Sequence, residues 1–277
     1  MSKNCLITRL KAVVNDDSLP ILETMQQFTL DAIAASGNQN MSDAQKWALN
    51  KFFTSIGAPN NSGVFSKMDY IFLPAICNHN LAKAMVNYKD NNVVSQSDTA
   101  YKFDGNGVVK GDSVTGNYGV LALGLYSTFT QDDFSLILGV KPPTISFTRN
   151  PTIYKIANSN DASVEDRPTV SVTTNTKDYH NITLLSYRFT VPAVKWSSAC
   201  ICSYDGNKRG TFVYNSSNVV HINGNLIGEE PELGESVNLI QFYAELPLHV
   251  IMYGKGLTDT ERDNVAKAVN DLVVAFS

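Results

Sequence analysis

The stretch Gly254–Phe276, GKGLTDTERDNVAKAVNDLVVAF, sets the terms on which the rest of the chain is read. Thr258 and Glu261 have the T-x-x-E spacing of a capping box, in which hydroxyl and carboxylate each satisfy an amide at the start of a helix. Val265, Val269, Leu272, Val273 and Phe276 follow at spacings of four, three, one and three, a single apolar stripe at the helical period. Arg262, Asp263, Lys267, Asn270 and Asp271 lie mostly off that stripe. Burying such side chains is worth roughly 1.5–3 kcal/mol each before entropy is subtracted. The pattern therefore predicts a helix docked on an apolar surface rather than a free tail.

What that surface is follows from the residues upstream. From Ala82 onward the chain runs in short segments rich in Val, Ile, Tyr and Thr, such as YKFDG, FSLILGV, TIYKIA, ACICSY and HVIMYG. Gly, Asn and Asp separate them, which is the pattern of short strands joined by tight turns. DGNG at Asp104–Gly107 and DGN at Asp205–Asn207 hold the Asp-Gly and Asn-Gly pairs that favour primed hairpin turns. Strands this numerous predict a mainly β fold, an antiparallel β-sandwich with a barrel as the lesser option. The first 80 residues differ. SLPILETMQQFTLDAIAASG predicts a helix starting near Ser18 and Pro20 and stopping at Gly37. MSDAQKWALNKFFTSIG predicts a second, with Ser42 and Gln45 at capping-box spacing and Gly57 as its stop. SGVFSKMDYIFLP predicts a shorter third that ends before Pro74. The domains expected are a helical region over 1–80, serving anchorage or oligomerisation, and a β-domain over 81–277.

Composition excludes some classes of function. Across 277 residues, 43% are hydrophobic and 17% charged, as in an ordinary globular chain with a real core. The net charge of −4 is carried by scattered single charges, with no basic stripe to track a phosphate backbone, so nucleic acid is not expected as a partner. No run approaches the ~20 apolar residues of a membrane span, and charges at Arg9 and Lys11 interrupt any signal-peptide core. No membrane partner is expected. Cys5, Cys77, Cys200 and Cys202 lack the paired spacing of a zinc site and are expected as buried thiols.

The closing segment also carries a resemblance. Strands leading through YGKGLTDTE into a terminal helix, preceded by YKFDGNGVVKGD, NYGVLALGLYST and DGNKRGTFVYNSSNVVHINGN, resemble the laminin-G/concanavalin-A-like jelly rolls of bacteriophage structural proteins. The likeness covers about 81–277 and is most specific in the last 40 residues. It implies a concanavalin-A-like jelly roll whose C-terminal helix seals an open end or edge of the sandwich. It also implies a non-enzymatic virion component: a head-fibre, capsid-decoration or tail-associated protein assembled in the host cytoplasm. The partners implied are copies of itself and other virion proteins of capsid or tail. The alternative is a carbohydrate-binding module that adheres to host surface glycans.

Residue patterns for chemistry are thin. The glucanase relatives of such folds carry E-x-D-x-x-E, which is absent here, and Glu229, Glu230, Glu232 and Glu235 sit among Pro and Gly as a solvated loop would. Asp104, Asn106, Asp112, Asp132 and Asp133 have the chemistry of calcium ligands, and equally that of turn residues bonding their own backbone. His79, His180, His221 and His249 have no metal-binding spacing. Trp196, Tyr187 and Tyr204 could stack on a sugar, with core as the bland alternative. No catalytic residue, cofactor or metal is expected. The residue set expected at an anchoring or subunit interface is Trp47, Phe52 and Phe53, with the intramolecular core as its competitor.

Overall fold

The computed structural model describes residues 8–10, 22–93, 101–110, 121–123, 133–140, 152–157, 169–176, 179–184, 189–190, 199–205, 208–214, 219–223, 239–242 and 247–277. Side chains are described over 25–92, 102–109, 135, 137–139 and 247–277. Among these residues the α-helices are α1 (Gln27–Ser36), α2 (Asp43–Ile56), α3 (Gly63–Lys67), α4 (Leu81–Ala84) and α5 (Asp259–Ala275).

The sheet that positions them is organised around the strand Leu248–Gly254, all of whose residues are buried. One of its edges is antiparallel to Asp133–Val140, with Ile251 opposite Leu138 and Met252 opposite Ile137. The other edge is shared. Leu248 meets Val108 of the strand Gly107–Lys110, and Ile251 to Tyr253 meet Phe72 to Tyr70 of the strand Met68–Phe72. Beyond Asp133–Val140 the sheet continues through Ala199–Asp205, Lys208–Tyr214 and Val219–Asn223, and beyond Gly107–Lys110 it continues through Tyr101–Asp104. A further set of strands (Leu121–Leu123, Thr152–Ala157, Thr169–Thr176, Tyr179–Leu184, Phe189–Thr190 and Leu239–Phe242) pairs within itself.

Helix α5 lies on a face of the first sheet, against Ala199–Asp205, Lys208–Tyr214, Asp133–Val140 and Leu248–Gly254, and packs along α2. Gly139 permits that approach: a Cβ there would come within 2.8 Å of Val250 Cβ and 3.0 Å of Val273 Cγ2. Val265, Val269, Leu272, Val273 and Phe276 are all buried, as the stripe predicts. They share one core with Leu49, Phe52, Phe53 and Ile56 of α2, with Val64 and Phe65 of α3, and with Ile137, Val250 and Met252 of the sheet. The core therefore draws on residues from both sides of position 80.

The expectation of a mainly β, concanavalin-A-like jelly roll needs correction. Of the residues whose side chains are described, half are helical and 23% are strand. One face of the eight-stranded sheet is covered by α5, backed by α2. Nor does α5 seal an open end or edge. Alternating Val, Ile and Tyr residues report that a segment is extended and half-buried, but not whether a sheet or a helix covers it.

Two helix expectations also shift. The N-terminal helix begins at Gln27, because Leu22–Thr24 is a strand antiparallel to Thr8–Leu10; Ser18 and Pro20 lie outside the described residues. Its start is secured from a distance, with Gln26 N–H and Thr29 Oγ1 both donating to Asn50 Oδ1 of α2. The third helix stops at Lys67, and Met68–Phe72 is a strand. The outer edge of that strand is closed by a side-chain amide. Ile71 N–H donates to Asn87 Oδ1 at 2.9 Å, Asn87 Nδ2 donates to Asp69 C=O, and Tyr88 N–H donates to Ile71 C=O. An edge so capped offers no ladder to another chain. The second helix agrees with its sequence signals: Ser42 and Gln45 form the capping box, and Gly57 ends the helix at φ 89°, where any Cβ would also strike Ser62 C=O.

The entry to α5 is held more firmly than its capping box alone would hold it. Glu261 Oε2 accepts from Thr258 N–H and Oγ1–H and also from Lys67 Nζ at 2.7 Å, a contact across 194 positions. Next to it the chain passes so close that a Cβ on Gly254 would lie 2.2 Å from Lys67 C=O. Arg262, 1% exposed, turns its Nε to Leu257 C=O and its Nη1 to Asp259. Partial burial pushes the Glu261 carboxyl up, but the bonds from Lys67 and Thr258 outweigh it and hold the group below its ordinary value. A depressed carboxylate contributes stability that is present above its unfolded-state pKa and is lost as pH falls through the folded one. We expect Glu261→Gln, which keeps a side chain able to complete the capping box but removes the charge that Lys67 pairs with, to cost about 1 kcal/mol at neutral pH, and to flatten the acid limb of the stability curve. Urea titrations of both proteins from neutral to acid pH measure this; equal acid sensitivity would refute it.

Candidate functional site

Between α2 and α5 the packing opens into a groove of about 690 Å³. The capping boxes at Ser42 and Thr258 fix where each helix begins, and their buried stripes fix which faces turn inward, so the groove walls are the flanks next to those stripes. Phe52 forms part of its floor, Lys51 and Ser55 one wall, and Lys267, Asp271 and Val274 the other. Lys51 Nζ of α2 lies 3.1 Å from Asp271 Oδ2, and Lys267 Nζ of α5 lies 3.3 Å from the same oxygen. Partial burial raises the Asp271 carboxyl, but the hydrogen bonds and charges of the two lysines prevail and hold it below the usual range. Val274 is 61% exposed, the one large hydrophobic side chain in the open among the described residues. The groove thus joins an apolar floor and an apolar knob to a rim with two ammonium groups and one carboxylate. That composition suits a protein surface better than a reacting centre, which would need a nucleophile or an acid and base poised over one point.

Of the residues expected at an interface, Phe52 and Phe53 are buried within the chain, while Trp47 is half-buried. Phe53 meets Phe28 edge-on with centroids 4.8 Å apart, Phe52 at 5.3 Å and Tyr88 at 6.3 Å. Phe28 in turn meets Phe65, over whose ring Lys89 Nζ sits at 4.1 Å. These rings bind α1, α2 and α3 together, and only Phe52 also reaches the groove.

The candidates for metal or acid chemistry are dispersed or engaged. Asn106 donates to the Phe276 carbonyl and meets His79 Nε2 at 3.1 Å, tying the Asp104–Gly107 hairpin turn to the end of α5. His249 is buried with Nδ1 3.0 Å from the Pro247 carbonyl. His180, His221, Cys200, Cys202, Tyr204 and Asp133 stand on described strands, without described side chains. Asp112, Asp132, Tyr187, Trp196 and Glu229 to Glu235 lie outside the described residues, as does Cys5. Among the described residues no three His, Cys, Asp or Glu side chains gather as a metal site would require, and no helix is long and apolar enough to cross a membrane. Lys51, Asp271 and Val274 carry no functional motif in the sequence. The available signal was Val274, an apolar residue off the stripe of its own helix.

Comparison with known proteins gives no family. No family model matches the chain, and no curated protein does. Among solved structures, one similar to it is a GH54 α-L-arabinofuranosidase soaked with 4-nitrophenyl α-L-arabinofuranoside. That match has a TM-score of 0.40 and 9% identity, covering 53% of this chain and 37% of that one. A second is an arabinofuranosidase complexed with arabinofuranosyl-α-1,2-xylobiose, with a TM-score of 0.35, 11% identity and the same coverage. The chain thus spans little more than a third of either neighbour. Both are enzymes, so neither supports the expectation of a non-enzymatic chain, and likeness this slight carries no argument about activity.

Cys77 is the free thiol among the described side chains. Burial pushes it up to about 12, against the smaller opposing effects of its bond with Tyr88 and the charge of Lys83. A thiol buried at 1% exposure and pushed upward in this way holds little thiolate at neutral pH and is shielded from reagents. Iodoacetamide at pH 8 followed by peptide mapping should leave Cys77 unmodified in the native protein and label it in urea; rapid native labelling would contradict its placement.

Proposed function

We propose that this chain is a structural, non-catalytic component of a bacteriophage particle, a head-fibre, capsid-decoration or tail-associated protein. The observation that carries the reading is the position of the segment with the most specific resemblance to such proteins. The strand Leu248–Gly254 and α5 are the centre of the described body, buried along the strand and along the stripe. Around α5, Lys67 and Glu261, Lys51 and Asp271, and Arg262 and Asp259 are paired in ties between or within elements. Groups spent in this way hold the elements of the body to one another. The reading rests on the resemblance in the last strand and helix, not on a jelly-roll fold.

An antibody raised against residues 81–277, used on density-gradient fractions of particles from a producing culture, tests the reading. Co-banding with intact particles at a fixed copy number is the expected result. Signal confined to cells or medium, with none in the particle band, would overturn it.

A further inference from the structure

We infer that the α2–α5 groove is the contact surface for a second copy of this chain, with the two α5 helices crossing antiparallel about a two-fold axis. The inference stands on this helix face alone and would hold for any function of the chain. Two features make the face self-complementary, as a two-fold interface must be. The first is shape: the groove and the exposed Val274 lie on the same face, so the knob of each copy can enter the groove of the other. The second is charge. Lys267 and Asp271 are separated by one turn on α5, both on the groove wall. An antiparallel crossing that sets Lys267 of one copy opposite Asp271 of the other does so twice. The same crossing brings each Val274 over the Asn264 end of the facing groove, roughly 15 Å along the axis from its own position. Lys51 stays beside Asp271 within each copy, so the carboxylate keeps a cation on both sides. An occupant with a single charge sign, such as an acidic peptide, would match the lysines but oppose Asp271; a second copy matches all of them.

The rim also supplies the test. Lys267→Glu sets carboxylates against each other across the axis, and Asp271→Lys sets ammonium groups against each other. Mixed, the two variants face each other with opposite charges at both contacts. Sedimentation velocity on the full chain should show a concentration-dependent dimer for the wild type. Each variant alone should weaken it by roughly tenfold or more, since like charges placed in contact are costly. An equimolar mixture should restore it as a heterodimer. Val274→Asp, at an exposed position, should weaken the dimer without help from any charge partner, and thermal melts should confirm that every variant is folded. A wild type that stays monomeric at concentrations where ordinary dimers form would overturn the inference, as would an assembly whose mass the variants leave unchanged. Failure of the equimolar mixture to restore the dimer would overturn the antiparallel pairing itself. The particle-banding result is independent of all these outcomes, so the two readings can fail separately.

Discussion

Contact between α5 and the sheet face is the constraint on which the rest of the body depends. The strand Leu248–Gly254 hydrogen-bonds along both edges, to Asp133–Val140 on one side and to Met68–Phe72 and Gly107–Lys110 on the other. It cannot move without opening three pairings. A short turn then returns the chain, and α5 lies back across the sheet it has just left, at a depth set by bare Gly139 under Val273. With α5 in place, α2 has an apolar flank to pack on, and α1 and α3 join through the rings of Phe28, Phe53 and Phe65. The helices are thus secured in order of their distance from one strand. The polar ties, partly buried Lys67 to Glu261 and more exposed Lys51 to Asp271, sit at the rim of this contact and fix its direction more than its strength, since ion pairs open to solvent are worth little individually.

Local signals were legible in the sequence and non-local ones were not. Both capping boxes, the stops at Gly37 and Gly57, the stripe of α5 and the hairpins at Asp104–Gly107 and Asp205–Lys208 follow from residues within a few positions of one another. The architecture did not follow. Whether a second sheet or a helix covers a strand is decided by residues far away, and the alternation in FSLILGV is the same in either case. Local sequence cannot place the start of α1, because the side chain that secures it, Asn50, is more than twenty positions away. MDYIF at Met68–Phe72 has no strong strand alternation and reads as helical in sequence, and its extended form is imposed by Leu248–Gly254. The groove had the same fate: it exists only where α2 and α5 meet, and neither helix alone announces it.

Phe53 shows how the fold itself can use a broad aromatic face. Trp47, Phe52 and Phe53 give α2 an apolar side broader than a lone helix can hide, which is what a docking surface also looks like in sequence. Broad faces are equally the mark of a helix with more than one neighbour, and α2 meets α1, α3 and α5. Three partners at different angles consume the width. What remains exposed is on the other helix, at Val274, where a single apolar residue departs from its stripe. An isolated departure is therefore more informative about a surface than a broad face whose width the fold itself explains.

Sequence separation gives the arrangement a consequence for assembly of the body. Lys51 and Asp271 are 220 positions apart, Lys67 and Glu261 194, and the strand Met68–Phe72 finds its partner only in Leu248–Gly254. During synthesis the N-terminal helices therefore emerge with their aromatic faces long before the strand and helix that cover them. Capping boxes and helical stripes can form locally in that interval, but the shared core cannot, because closing such loops costs entropy that only the completed contact repays. The same separation explains why polar ties stand at the rim. A tie such as Lys67 to Glu261 contributes little to the burial of α5, yet it discriminates one seating of the helix from another turned or slipped by a turn, which the stripe of Val and Leu residues alone distinguishes poorly.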